Sequence, residues 1–240
     1  TINGQKRMLL HEVDGISGVS GGSFTAAYYG LFGDRIFEDF DQKFLKKNVQ
    51  GGLTRRLLLR PDNWVRLSSP FFQRSDLAAE YYDKILFEKK TFRDMEARKG
   101  QSPMVHINAT DMVTGIRVAF HQDAFDILCS DLSSYPVARA VTASSAVPVV
   151  LTPITLRNYS NDCGFTLPKE IERIRREHDI SSRSFHQVSN VDVYQDVAKH
   201  KYIHLVDGGV SDNLGLRAAL DRILALGSIW TTLKSLKLEN

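Results

Sequence analysis

The apolar positions fall into short runs whose period changes along the chain. Residues 8–17 are moderately apolar and lead into a glycine-punctuated turn. Residues 24–31 follow and predict a helix with Ala26 and Ala27 on its surface. Residues 35–49 and 75–87 repeat apolar and aromatic positions among charges at helical spacing, so 35–100 reads as a helical cap or insertion. Residues 104–110 alternate as a strand does, 113–116 suit a turn, and 117–120 suit a second strand. Small residues over 135–146 predict a helix that Pro148 stops, and 149–156 is apolar and β-branched. A charged helix is predicted over 169–178, a short buried strand over 202–206 ending at Asp207-Gly208-Gly209, and a final helix over 214–226. Strands alternating with helices predict an α/β fold with a mostly parallel sheet.

The whole chain, 240 residues and 42% hydrophobic, suits one α/β domain with an insertion. Its net charge of +3 and the absence of a basic arm argue against a nucleic-acid partner. A mild basic excess is compatible with an anionic membrane surface. No run reaches transmembrane length, and no signal peptide is visible. The chain opens at Thr1 just before an apolar segment, so a missing upstream segment is expected. The two cysteines, Cys129 and Cys163, lack CxxC spacing and carry no metal or redox signature. Two free buried thiols are the expectation, with one disulfide the alternative.

Candidate chemistry centres on Gly18-Val19-Ser20-Gly21-Gly22. A serine at a sharp strand-to-helix turn has an exposed hydroxyl, and Gly18 and Gly22 are expected where a Cβ would strike the neighbouring strand or helix. The helix N-terminus points positive potential at the hydroxyl, and the Gly21 N–H can donate to an oxyanion. A plain glycine-rich turn without chemistry is the competing reading. A serine nucleophile needs a base. None of the seven histidines, His11, His106, His121, His178, His186, His200 and His204, sits in a loop with an evident motif. Asp207, at a strand end before two glycines, is the better candidate, since a partly desolvated carboxylate at a sheet's carboxyl edge can take the serine proton. An Asp that merely caps a turn is the alternative.

Together these blocks resemble the patatin-like phospholipase family. The resemblance rests on residues 18–22 and on Asp207-Gly208-Gly209 with Ser211-Asp212-Asn213. It is supported by Asn108-Ala109-Thr110-Asp111 with Thr114-Gly115, and by 143–148 leading to Pro153. It implies a three-layer α/β/α sandwich over a single domain, N-terminally truncated here, and hydrolysis of lipid acyl esters without metal or cofactor. It implies Ser20 and Asp207 as a catalytic dyad without histidine, Gly18, Gly21 and Gly22 at the elbow, and Gly208, Gly209 and Asn213 in support. The implied partner is lipid at a membrane or micelle surface, and similar bacterial proteins suggest the cell envelope. The family's glycine-rich oxyanion loop, which normally precedes the serine, is not found before Ser20. Two further readings stay open: a soluble esterase with a Ser–Asp–His triad, and a catalytically weak lipid-binding protein. Residues 51–60 with Trp64, Val65, Arg66 and Leu67 mix basic and apolar positions as interfacial helices do, or as an ordinary amphipathic cap helix does.

Overall fold

A computed structural model describes residues 8–166, 169–217 and 220. Most of the helix expected over 214–226 lies outside the described residues. Strand β1 (Gly15–Val19) runs into helix α1 (Gly21–Phe32), and a π-helix (Ile36–Leu45) follows. Helices α2 (Val49–Leu58), α3 (Pro61–Leu67) and α4 (Arg74–Tyr82) come next, then a π-turn (Asp83–Phe87) and α5 (Phe92–Glu96). The chain continues through β2 (Met104–Asp111), β3 (Arg117–Phe120), α6 (Gln122–Ile127), α7 (Val137–Ser144) and β4 (Ile154–Arg157). It closes with α8 (Lys169–Glu177), α9 (Arg183–Gln195), β5 (Tyr202–Asp207) and the short α10 (Gly209–Asp212).

The fold is α/β, but the sheet is mixed rather than mostly parallel. Among the described residues only β1 and β2 run parallel; β2–β3, β2–β5 and β4–β5 are antiparallel. The physical reason is local. The turn after Asp111, closed by an Asp111 N–H to Ile116 carbonyl bond of 2.9 Å, folds β3 straight back on β2 as a hairpin, without a crossover helix.

Register sets the two faces. Ile16 and Gly18 of β1, Val105, Ile107 and Ala109 of β2, and Val118 and Phe120 of β3 point one way, and Ile154 and Leu205 join them. Apart from Gly18, these side chains belong to or pack on the apolar core with Phe24, Ala27 and Tyr28 of α1 and Val137 and Val141 of α7. Ala26 and Ala27 are therefore buried rather than on the helix surface, because their small side chains let α1 lie close against the sheet. Ser17, His106, Asn108, Thr110, Arg117 and His204 occupy the other face, which is the more polar one, beside the buried Ala119 and Val206. Residues 35–100 are helical, yet Ala78, Tyr82, Leu86 and Phe87 enter the same core.

The cysteines depart from the expectation of free thiols. Cys129 and Cys163 form a disulfide that spans 34 positions. Two cysteines in sequence do not reveal whether the chain brings them together. Here the segment after α6 and the loop after β4 do so.

Candidate active site

The site is built where two strands meet end to end. β1 pairs with β2 up to Val19 opposite Asn108, and β5 pairs with β2 from Leu205 opposite Asp111 down to Asp207 opposite Ala109. Since β3 occupies the other edge of β2 at Ile107–Thr110, β1 and β5 share one edge and approach from opposite directions. Their C-terminal ends therefore converge. The next residue of one is Ser20, and the last residue of the other is Asp207. The Ser20 hydroxyl donates to Asp207 Oδ2 at 2.7 Å across 187 positions of sequence.

Ser20 sits between strand and helix with φ 51° and ψ −126°. A non-glycine residue in that region costs about 1–3 kcal/mol and persists only where its surroundings hold it. Its N–H donates to Ser144 Oγ at 3.0 Å, and its carbonyl accepts from Ser23 N–H at 3.0 Å. Gly18 makes the turn sterically open. A Cβ there would lie 2.9 Å from Ser23 Cα and 3.1 Å from Ala26 Cβ. Gly22 corrects the expectation: a Cβ there meets nothing within 4 Å, as at Gly21. The turn needs a glycine before the serine, while the helix start after it faces open space. Gly21 lies in the first turn of α1, where an N–H has no intrahelical carbonyl to bond.

Asp207 is 7% exposed, and both carboxylate oxygens are engaged. Oδ2 accepts from Ser20, and Oδ1 accepts from Gly209 N–H at 2.7 Å. Gly208 is required by space: its φ is −64°, but a Cβ would fall 2.3 Å from the Asn108 carbonyl oxygen, a backbone atom that cannot turn aside. At Gly209 a Cβ would come within 2.8 Å of Asn213 Oδ1 and 3.0 Å of Asp207 Oδ1. Asn213 thus packs beside the Asp207 turn while itself exposed.

Sequence reasoning gave no role to the end of α7, although it lay within the quoted block 143–148. Ser144 Oγ accepts from Ser20 N–H and donates to the Asn108 carbonyl at 2.6 Å, and lies 2.6 Å from Ser23 Oγ. The Ser144 carbonyl accepts from Gly208 N–H and that of Ala146 from Asp207 N–H, both at 3.0 Å. One helix end therefore ties both strand ends together. The signal available in sequence was a pair of serines at the close of a small, apolar helix. On the polar face, Asn108 Nδ2 reaches Ser17 Oγ (2.9 Å) and the Gly18 carbonyl (3.0 Å), and Arg117 donates to Asn108 Oδ1 at 2.9 Å. His204, the histidine within a strand, bonds Thr155 Oγ1 at 2.9 Å on that face, away from Asp207.

Among the described residues, no group of three or more His, Cys, Asp or Glu side chains is arranged to hold a metal, and no helix is long and apolar enough to cross a membrane. The fold and the strand–turn–helix at Ser20 define an α/β protein with an elbow serine against a buried carboxylate. A model of the patatin-like phospholipase family matches residues 6–220, and the chain belongs to that family. Lipid acyl hydrolysis is the activity this membership suggests. No curated protein and no solved structure was found to match the chain.

Proposed function

We propose that this protein cleaves acyl ester bonds of lipids, with Ser20 as nucleophile and Asp207 as its base. The observation that carries the reading is the direct 2.7 Å hydrogen bond from Ser20 Oγ to Asp207 Oδ2 at a strained elbow. In a triad the serine would hand its proton to a histidine; here the carboxylate itself is in reach. As Ser20 Oγ bonds to the ester carbonyl carbon, its proton passes to Asp207 Oδ2. The carbonyl oxygen becomes an oxyanion, which the Gly21 N–H and the α1 N-terminus stabilise. Collapse breaks the ester bond, and the departing alkoxide takes the proton from Asp207. Water then attacks the acyl-enzyme, giving its proton to Asp207, and release of the fatty acid returns that proton to Ser20. Gly209 N–H, bonded to Oδ1, keeps Oδ2 aimed at the serine.

A fluorophosphonate probe should label wild-type protein at Ser20, and Ser20→Ala should remove both the label and hydrolysis of a short-chain nitrophenyl ester, a fall of about 10⁴–10⁶-fold. Asp207→Asn removes the base itself and should cost at least about 10⁴-fold, the scale of loss when a triad loses its carboxylate, while each single histidine replacement leaves the rate intact. Wild-type turnover by purified Ser20→Ala would end the assignment.

A further inference from the structure

Residues 55–74 carry five arginines, Arg55, Arg56, Arg60, Arg66 and Arg74, against Asp62 alone, a formal +4 in a chain whose total is +3. The same stretch presents Leu58, Leu59, Trp64, Val65 and Phe71 to solvent, Phe71 at 92% exposure. Exposed apolar groups interleaved with arginines are not the surface of an ordinary packed helix pair, which turns its apolar stripe inward.

A second exposed apolar segment lies beside the dyad. The Ala146 carbonyl accepts from Asp207 N–H, and Val147, Val149 and Val150 follow immediately, with Val149 89% exposed. Val149 has φ +76°, in the left-handed region that β-branched residues rarely enter. A strained, solvent-facing valine next to a candidate active site points to a use for its position. The two segments share an anchor. Ser75 N–H donates to Thr152 Oγ1 at 3.2 Å, and Ser75 Oγ donates to the Thr152 carbonyl. Phe71 thus leads into one side of this link and Val150 into the other.

We infer that these two segments form one docking surface for a lipid bilayer bearing anionic headgroups, and that residues 147–150 enter the acyl boundary next to Ser20. The inference rests on the hydrolase reading for its purpose, since a bilayer-bound substrate must reach the elbow from that side. Leu, Val, Trp and Phe side chains suit the acyl–headgroup boundary, and arginine forks suit lipid phosphates. A second copy of the chain fits poorly, because a two-fold contact would set one +4 stretch against another.

The test uses the full chain as Ser20→Ala, so that binding is read without hydrolysis. It is floated with vesicles of phosphatidylcholine containing phosphatidylserine, and with vesicles of phosphatidylcholine alone. Flotation should be strong with the first and weak with the second. Arg55→Gln with Arg60→Gln should weaken anionic binding about thirtyfold, taking about fivefold for each arginine near the surface. Phe71→Ser with Val149→Asn should abolish flotation, and Asn tolerates the left-handed backbone better than valine. With Ser20 restored, both double variants should hydrolyse a soluble short-chain ester at the wild-type rate. Equal binding to both vesicles, unchanged binding by either double variant, or self-association through the apolar residues without flotation would overturn the surface. Loss of ester turnover in the wild type with intact flotation would instead overturn the hydrolase reading and leave the surface standing.

Discussion

The strand ends around Ser20 and the helical region from Ile36 to Glu96 are held by opposite means. At the strand ends the bonds are buried and polar, and the clearances are tenths of an ångström. Asp207, Ser144, Asn108 and Thr110 are all buried, and the backbones of 18–20, 144–146 and 207–209 bond to one another directly or through Ser144. In the helical region the contacts are aromatic and electrostatic. Phe24 stacks on Phe44 at 4.5 Å and meets Tyr82 edge-on at 4.8 Å, and Arg35 and Lys43 share the half-exposed Glu88. The first kind of region tolerates almost no change of atom positions. The second tolerates substitution that conserves volume and charge.

Two glycines four or fewer steps from the dyad break this comparison open. Gly208→Ala forces a Cβ to 2.3 Å from the Asn108 carbonyl, so β5 or β2 must shift. Overpacking of that kind costs about 1–3 kcal/mol, and displacement of Asp207 by about 1 Å should cost the ester hydrolysis reaction about 10²-fold or more. Gly22→Ala places its Cβ in open space at a helix start. It should keep activity and raise stability by about 0.4–1 kcal/mol. Equal losses in both variants, measured by ester turnover and thermal melting, would show that the tight packing at Gly208 is not what positions Asp207.

The disulfide supplies a control that touches neither region. Its 34-residue separation corresponds to about 3–4 kcal/mol of chain-entropy stabilisation. Cys129→Ser with Cys163→Ser should therefore lower Tm by about 10 °C for a chain of this size, with the turnover rate unchanged well below the transition. A drop in turnover at low temperature would mean that the Cys129 loop bears on the dyad.

Ser144 tests the strand ends with less violence. Ser144→Ala leaves the Ser20 N–H without its acceptor in a buried place, at about 1–3 kcal/mol. Part of that loss should appear as relaxation of the elbow, so kcat should fall about tenfold to a hundredfold with little change in KM. Ser144→Thr keeps an oxygen and should restore part of the rate, whereas a purely structural role would give both variants the same kcat and a changed melting point only. The reaction rate of Ser20 with a fluorophosphonate, read beside the melting curve, separates the two.

Much of this was legible in sequence because it depended on local chemistry. Gly18-Val19-Ser20-Gly21-Gly22 predicts a strand–helix turn, and Asp207-Gly208-Gly209 predicts a strand end; the structure has both, and brings Ser20 and Asp207 together. Strand direction was not legible. An apolar alternation reads the same in either sense, and nothing in 202–206 tells that β5 runs against β2. The need for glycine at 22 was inferred from a motif whose clash depends on the neighbouring helix, and here that space is open. Ser144 was hidden because its partners, Ser20 and Asn108, lie 124 and 36 positions away. The disulfide was hidden because pairing is a property of loop paths, not of the two cysteines.

The smallest expected effect belongs to the helical region and concerns acid. Burial works to raise the Asp39 carboxyl, but hydrogen bonds from Lys43, Tyr28 and Arg35 outweigh it and hold its pKa down from 3.8 to about 2. Glu88 is lowered as well, chiefly by Arg35. A carboxyl lower in the folded than in the unfolded state contributes stability that is present above its unfolded pKa and lost as the pH falls through the folded one. The window for Asp39 is therefore about pH 4 to pH 2. The Asp39 side chain is 27% exposed, so solvent limits its share to about 1 kcal/mol. Asp39→Asn keeps an acceptor for the Tyr28 hydroxyl and removes the charge. It should flatten the acid limb of a denaturation series by that amount, and 1 M salt, with a screening length of about 3 Å, should erase most of the difference. The Ser144→Ala penalty comes from an unpaired buried N–H rather than from charge, so the same salt should leave it unchanged. If salt moves both equally, the two regions are not held by different forces, and the contrast between them fails.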